Sequence, residues 1–268
     1  MEHHRTEVQE IVWRMMDDLL PIFEDNYRHY IVGGTLLGAV RHKGFIPWDD
    51  DLDIALPRSD YEKFLKEASG KLPPYLKLCT YRNDPTHHYY FARIVDTRHS
   101  VRRQGSLVER EEKVWIDLFP LDGLPNNIVL RYLHLLRFFY VRARYHMATF
   151  DRVNLERPGR SWIVRALICF VKVTGAGTQS SPRKWLDKMD RLAKMYSMDE
   201  TNWAINLVGQ YLFNDIMTRA CFGDGRLYEF EDKWLVGPED AHYMLSRIYG
   251  DYMKIPENKN AHATQFVK

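Results

Sequence analysis

The chain has 268 residues, is 45% apolar and 28% charged, and carries a formal net charge of +2. That balance excludes a disordered chain and gives no overall field of the kind that draws a protein to nucleic acid, and the length suits one large domain or a domain with an elaborated second half. Three scattered cysteines, Cys79, Cys169 and Cys221, exclude a disulfide framework or a cysteine-based zinc site and suit a reducing compartment. The opening MEHHRTEVQE has no apolar signal core and no stretch offers about eighteen uninterrupted apolar residues, so the expected location is the cytoplasm.

In chain order, Thr6 to Phe23 spaces Val8, Ile11, Val12, Met15, Leu19 and Leu20 as an amphipathic helix that packs on a sheet. Tyr30-Ile31-Val32 is a short strand running into Gly33-Gly34, and Thr35 to His42 reads as a helix. A glycine turn at a helix start lets backbone N–H groups approach an anion, and phosphate is the expected one. Asp49, Asp50, Asp51 and Asp53 follow, with Asp51-Leu52-Asp53-Ile54-Ala55-Leu56 alternating acid and apolar residue. In a strand, Asp49, Asp51 and Asp53 would share one face while Leu52, Ile54 and Leu56 enter the core. Carboxylates so close repel, and a hard divalent cation, Mg²⁺ or Mn²⁺, is the natural neutralising partner for all-oxygen donors.

Ser59 caps a predicted helix through about Ser69, which Gly70 and Pro73-Pro74 stop. Tyr75 to Tyr81, His88 to Val95 and Val114 to Phe119 read as strands, with a polar, Arg-rich connection at Asp96 to Glu112. Asp117 is an acid inside an apolar strand, and such a group needs a partner: either it is a structural acid bonded to backbone or arginine, or it belongs to the acid site. Asp122 precedes Gly123 and reads as a turn residue. Arg93 either holds a phosphate or pairs with one of the acids. His87, His88, Tyr89 and Tyr90 read as a strand edge, with a metal site as the less favoured alternative.

From Ile128 the texture changes to IVLRYLHLLRFFYVRARYHMATF and SWIVRALICFVKVT, apolar and aromatic stretches broken mainly by Arg, Lys and His. They form either a helical subdomain or a basic, aromatic surface for an anionic membrane. Residues 175–182 read as a linker, Trp185 to Met198 as a helix and Asn202 to Tyr211 as a strand; Pro238 suits the first position of a helix, and Gly250 its end.

Val32-Gly33-Gly34 with Asp51-Leu52-Asp53-Ile54 resembles the signature of the nucleotidyltransferase superfamily. The linker Arg41-His42-Lys43-Gly44-Phe45-Ile46-Pro47-Trp48-Asp49-Asp50-Asp51 is similar, almost residue for residue, to that of its LicD family of phosphocholine and related phosphodiester transferases. The segment around Asp117 and the C-terminal runs Tyr228–Asp232, Val236–Asp240 and Leu245–Met253, closed by Pro256, resemble the same family.

The resemblance implies an α/β (α+β) nucleotidyltransferase-like mixed sheet core over residues 1–127, a basic helical insert over 128–200, and a C-terminal region over 201–268 that packs back on the core. It implies transfer of phosphocholine or a related phospho-alcohol from a CDP-activated donor such as CDP-choline to a sugar hydroxyl of a glycan or lipid-linked glycan, with CMP leaving. Asp51, Asp53 and Asp117 are then catalytic, and these three with Asp49 hold Mg²⁺ or Mn²⁺. Gly33, Gly34, Thr35, Arg41, Lys43 and Arg93 would contact phosphate or nucleotide, and Trp48 and Trp115 are candidates for an aromatic face toward choline. The family's setting also implies a peripheral location at the inner face of the membrane. Transfer of NMP from an NTP, and a catalytically inactive binding protein of the same fold, stand as alternatives.

Overall fold

The computed structural model describes residues 5–103, 110–150, 162–209, 211–255 and 264–267. Helix α1 (Glu7–Asn26) begins with a capping box: the Thr6 hydroxyl accepts from the Gln9 N–H, and the Gln9 side chain accepts from the Thr6 N–H. Its stripe of Val12, Met15, Met16, Leu19 and Phe23 is buried in the main core. Strand β1 (Tyr30–Ile31) leads into α2 (Gly33–Arg41), and β2 (Asp53–Pro57) into α3 (Arg58–Glu67).

Strands β3 (Leu76–Cys79), β4 (Ala92–Arg103) and β5 (Arg110–Leu124) follow, then β6 (Trp203–Ile205) and β7 (Ile216–Thr218). A separate hairpin, β8 (Arg226–Phe230) and β9 (Lys233–Gly237), precedes β10 (Thr264–Val267). All but the hairpin form one eight-stranded sheet with a main path β1-β2-β5-β4-β10; β3 also pairs with β4, and β6 joins β5 to β7. The β2–β5 pairing is parallel and the rest of the sheet's pairings are antiparallel. The fold is therefore of the α+β class around a mixed sheet, as expected.

Beyond β5 come α4 (Ile128–Ala148), α5 (Trp162–Thr174) and α6 (Pro182–Ala193). Leu135, Phe138, Val141 and Tyr145 of α4 meet Trp185, Leu186 and Met189 of α6 in a second hydrophobic cluster. Two short helices flank the β8–β9 hairpin, α7 (Arg219–Phe222) before it and α8 (Ala241–Tyr249) after it.

Several boundaries differ from the sequence reading, each for a local reason. Pro57, not Ser59, holds the cap position of α3, and Ser59 lies inside its first turn. The Arg-rich stretch after Asp96 is not a loop: β4 runs on to Arg103 past a bulge between Asp96 and Ser100, and β5 starts at Arg110. Asp122 is no turn residue but a buried member of β5, paired with Ile205 of β6. Of the strand expected over Asn202–Tyr211 only Trp203–Ile205 forms, and the helix expected over Trp185–Met198 is shifted to Pro182–Ala193. Pro238 precedes α8, whose cap is Asp240, while Gly250 ends that helix at φ 70. Pro256 lies outside the described residues.

Candidate active site

The parallel register sets the site: Asp53 on β2 lies opposite Asp117 on β5. Side chains at paired positions of neighbouring strands stand side by side, so two carboxylates meet at the start of β2. Leu52, Ile54 and Leu56 are buried as the alternation required, but β2 opens only at Asp53, and Asp49 to Asp51 belong to the loop before it.

Gly33 and Gly34 begin α2 directly against these acids. Gly33 has φ 57, and a Cβ there would stand 2.6 Å from Asp53 Oδ2; a Cβ on Gly34 would come closer still to Asp49 Oδ2. The pair is thus required twice, for a left-handed backbone and for room beside two carboxylates. The Gly34 N–H donates to the Asp53 carboxylate, which offsets only part of the cost of its charge. Burial, and then Asp117, Asp51 and Asp49, push the Asp53 carboxyl well above the usual range. Asp49 is pushed up to about 7 by burial and by Asp51. Thr35 is buried, and its hydroxyl accepts the Asp53 N–H at 2.8 Å, so it fixes the start of β2.

The loop is braced from two directions. Gln9 Nε2 donates to the carbonyls of Ile46 (3.2 Å) and Asp49 (3.0 Å), and the Thr6 hydroxyl donates to Asp50 at 2.9 Å. At the tip of the β8–β9 hairpin, the Glu231 N–H donates to the Lys43 carbonyl at 2.7 Å, and the Glu231 carboxylate accepts from the Phe45 N–H at 2.9 Å. Trp13, Phe45 and Phe230 stack around the same linker with centroids 5.0–6.0 Å apart.

The expected cations take different places. Arg93 is buried, donates to Asp117 at 2.7 Å and Glu112 at 3.2 Å, and lies 3.8 Å from the Tyr89 ring centroid and 4.3 Å from that of Trp115. Burial opposes its charge, but Asp117, Tyr89 and Glu112 outweigh that and hold its proton more tightly. Its visible contacts are those of the pairing alternative, and they fix the orientation of Asp117. Arg41 sits at the far end of α2, about 12 Å along the axis from Gly33, and donates to the Tyr252 carbonyl at 2.8 Å. Lys43, at φ 61, presents an exposed side chain on the linker. Trp48 meets His42 edge-on.

Two aromatics went unassigned in the sequence. Tyr249, the last residue of α8, packs edge-on against Tyr211 with centroids 5.3 Å apart, and its hydroxyl is pushed well up by burial, by Tyr211 and by the nearby Asp53 and Asp49. The signal that could have found Tyr249 is its place in the C-terminal run that resembles the family, roughly 200 residues from the acids.

Among the described residues no three Asp, Glu, His or Cys side chains are gathered into a ready-made metal cage. The donor chemistry nonetheless fits a hard divalent cation: Asp53 has the like-charged neighbours Asp117, Asp51 and Asp49 against one N–H donor, that of Gly34, and Mg²⁺ is commonly held by one or two carboxylates with substrate phosphates and water completing its shell. Asp51, Asp53 and Asp117 are the carboxylates that could take part in holding one.

Residues 26–135 match the LicD/FKTN/FKRP nucleotidyltransferase domain. The chain is 26% identical over 243 residues, 87% of its length and 85% of the relative's, to a lipopolysaccharide cholinephosphotransferase of Haemophilus influenzae. It is also 46% identical over 50 residues to uncharacterised proteins of Rickettsia prowazekii and Rickettsia typhi. The glycine pair, the acid loop and the Asp53–Asp117 register all lie within the matched residues 26–135.

Proposed function

We propose that the protein transfers phosphocholine, or a closely related phospho-alcohol, from CDP-choline or another CDP-alcohol to a sugar hydroxyl of a cell-surface glycan, releasing CMP. The observation that carries this reading is the pairing of Asp53 with Asp117 against the Gly33-Gly34 helix start, where acids outnumber their partners. The likeness to a lipopolysaccharide cholinephosphotransferase supports the choice of phosphocholine and of a glycan acceptor. On this reading, a CDP-activated donor would put the reaction at the cytoplasmic face.

Bound Mg²⁺ or Mn²⁺, held by Asp51 and Asp53 with Asp117 and Asp49 close by, would neutralise charge on the donor's two phosphates. Gly33 and Gly34 begin α2, where backbone N–H groups would suit a phosphate oxygen of the donor. Asp117, oriented by Arg93, accepts the proton of the acceptor hydroxyl. The sugar oxygen forms its bond to the phosphorus that bears choline as the bond from that phosphorus to the CMP oxygen breaks, and CMP departs. Tyr249, backed by Tyr211, offers an aromatic face beside the acids for the quaternary ammonium. Trp115 is less suited, because the Arg93 guanidinium lies against its ring.

A nucleotidyl transfer from an NTP would present a third phosphate, yet Arg41 bonds to the carbonyl of Tyr252 and Arg93 to two acids. The test is a donor screen with purified protein, a phosphocholine-free lipopolysaccharide acceptor and Mg²⁺ or Mn²⁺. CMP release from CDP-choline with phosphocholine on the glycan is the expected result. Pyrophosphate release from any NTP with a nucleotidylated acceptor would overturn it.

A further inference from the structure

Helix α4 is apolar on both sides, yet it is covered on one. Leu135, Phe138, Val141 and Tyr145 enter the second cluster. On the other side Val129 (62% exposed), Leu133 (48%), Leu136 (63%) and Tyr140 (61%) face outward, and their spacing of i, i+4, i+7 and i+11 makes one continuous stripe about 17 Å long. Ile128, Leu130 and Tyr132 widen it. A surface helix normally keeps a polar outer face, and a contiguous exposed apolar patch marks a contact with something else.

Charge identifies the occupant. The segments 128–148 and 162–174 carry Arg131, Arg137, Arg142, Arg144, Arg165 and Lys172 and no acid, in a chain whose 38 basic residues are nearly matched by 36 acidic ones. Arg137, Arg165 and Lys172 are exposed. Helix α5 repeats the pattern, with Trp162 (78% exposed), Phe170 (55%) and Val173 (79%) outward. A second copy docked through α4 would set Arg137 against like charges, whereas an anionic leaflet would attract them and accept the stripe. Tyr132, Tyr140 and Trp162 are the amphipathic rings that settle at the level of lipid headgroups. No helix among the described residues is long and apolar enough to cross a membrane, so the contact lies along the surface.

We propose that the outer face of α4 docks the protein on an anionic bilayer. This holds independently of the reaction at the acid site. The experiment is sedimentation of the full chain with phosphatidylglycerol vesicles and with phosphatidylcholine vesicles, for the wild type and for a Leu133→Ser, Leu136→Ser double variant. Both leucines are exposed, and thermal unfolding of the variant checks that the fold is kept. The wild type is expected to pellet with the anionic vesicles alone and to be released by high salt. The variant should lose about tenfold or more in partitioning. Equal pelleting with both lipids, or a variant that binds as well as the wild type, would overturn the proposal. So would a dimer in solution that the double variant dissolves, because the stripe would then be a contact between copies.

Discussion

Two buried acids five residues apart on β5 have opposite surroundings. Asp122 is fully buried and receives two bonds from Arg58, at 2.7 and 2.8 Å, while Tyr90 and Glu62 bind the rest of the same guanidinium. Burial pushes the Asp122 carboxyl up and Arg58 pulls it back. Asp117 also has an arginine, but Asp53 stands beside it with Asp51 and Asp49 behind, and Arg93 is shared with Glu112. Near the end of the strand charge is compensated within the protein; at its middle, Asp117 shares its surroundings with Asp53, Asp51 and Asp49. An acid is read as structural or functional from how completely its neighbours neutralise it, not from burial.

The sharpest way to test that contrast is Asp53→Asn. Turnover should fall by about 100- to 1,000-fold or more, while the metal-free protein should melt at the same temperature as the wild type or higher, because a repelling charge is gone. Activity measured beside calorimetry separates the two effects, and a drop in both would make Asp53 structural. Asp122→Asn should behave in the reverse sense. It leaves the buried Arg58 with Glu62 alone, at 3.3 Å, as a carboxylate partner and is expected to cost about 3 kcal/mol in chemical denaturation, with turnover per folded molecule kept. An Arg58→Met, Asp122→Leu double variant should recover most of that loss, and failure to do so would mean that the pair does more than neutralise itself.

The third and smallest effect is in pH. Asp49 titrates near 7 in the fold, against an ordinary 3.8, so between those values the folded chain holds a proton that the unfolded chain has lost. Its contribution therefore favours the fold at low pH and fades as pH rises through that window. Buried neutral histidines such as His87, held to about 4, work in the opposite direction over part of the range. The informative quantity is thus the stability of Asp49→Asn minus that of the wild type, without metal, which should grow from pH 4 to pH 8. A flat difference would place Asp49 outside the repelling group.

Much of this was legible in the residues. The glycine pair and the acid spacing locate the site because each needs a specific backbone freedom or a specific neighbour, and such needs are local. Asp117 was visible as a lone acid in an apolar run, although its pairing with Arg93 was one of two alternatives. Asp122 was misread because Asp-Gly is a common turn pair, and only the arrival of β6 from residue 203 makes it a strand position. The extension of β4 and β5 into the Arg-rich stretch was hidden for a related reason: polar residues in paired strands can have the composition of a loop. Tyr249 could not be placed by pattern, since what brings it to the acids is the packing of α8 against the start of the chain.

The grip of Glu231 on the Lys43–Phe45 linker also bears on how the protein is made. The acids at 49–53 leave the ribosome long before the hairpin tip does, roughly 10–35 s at ordinary rates of synthesis. During that interval the linker lacks the two bonds that hold it, and Phe45 lacks Phe230. A nascent chain therefore carries the acid loop without its finished frame, and that frame closes only after Glu231 has emerged.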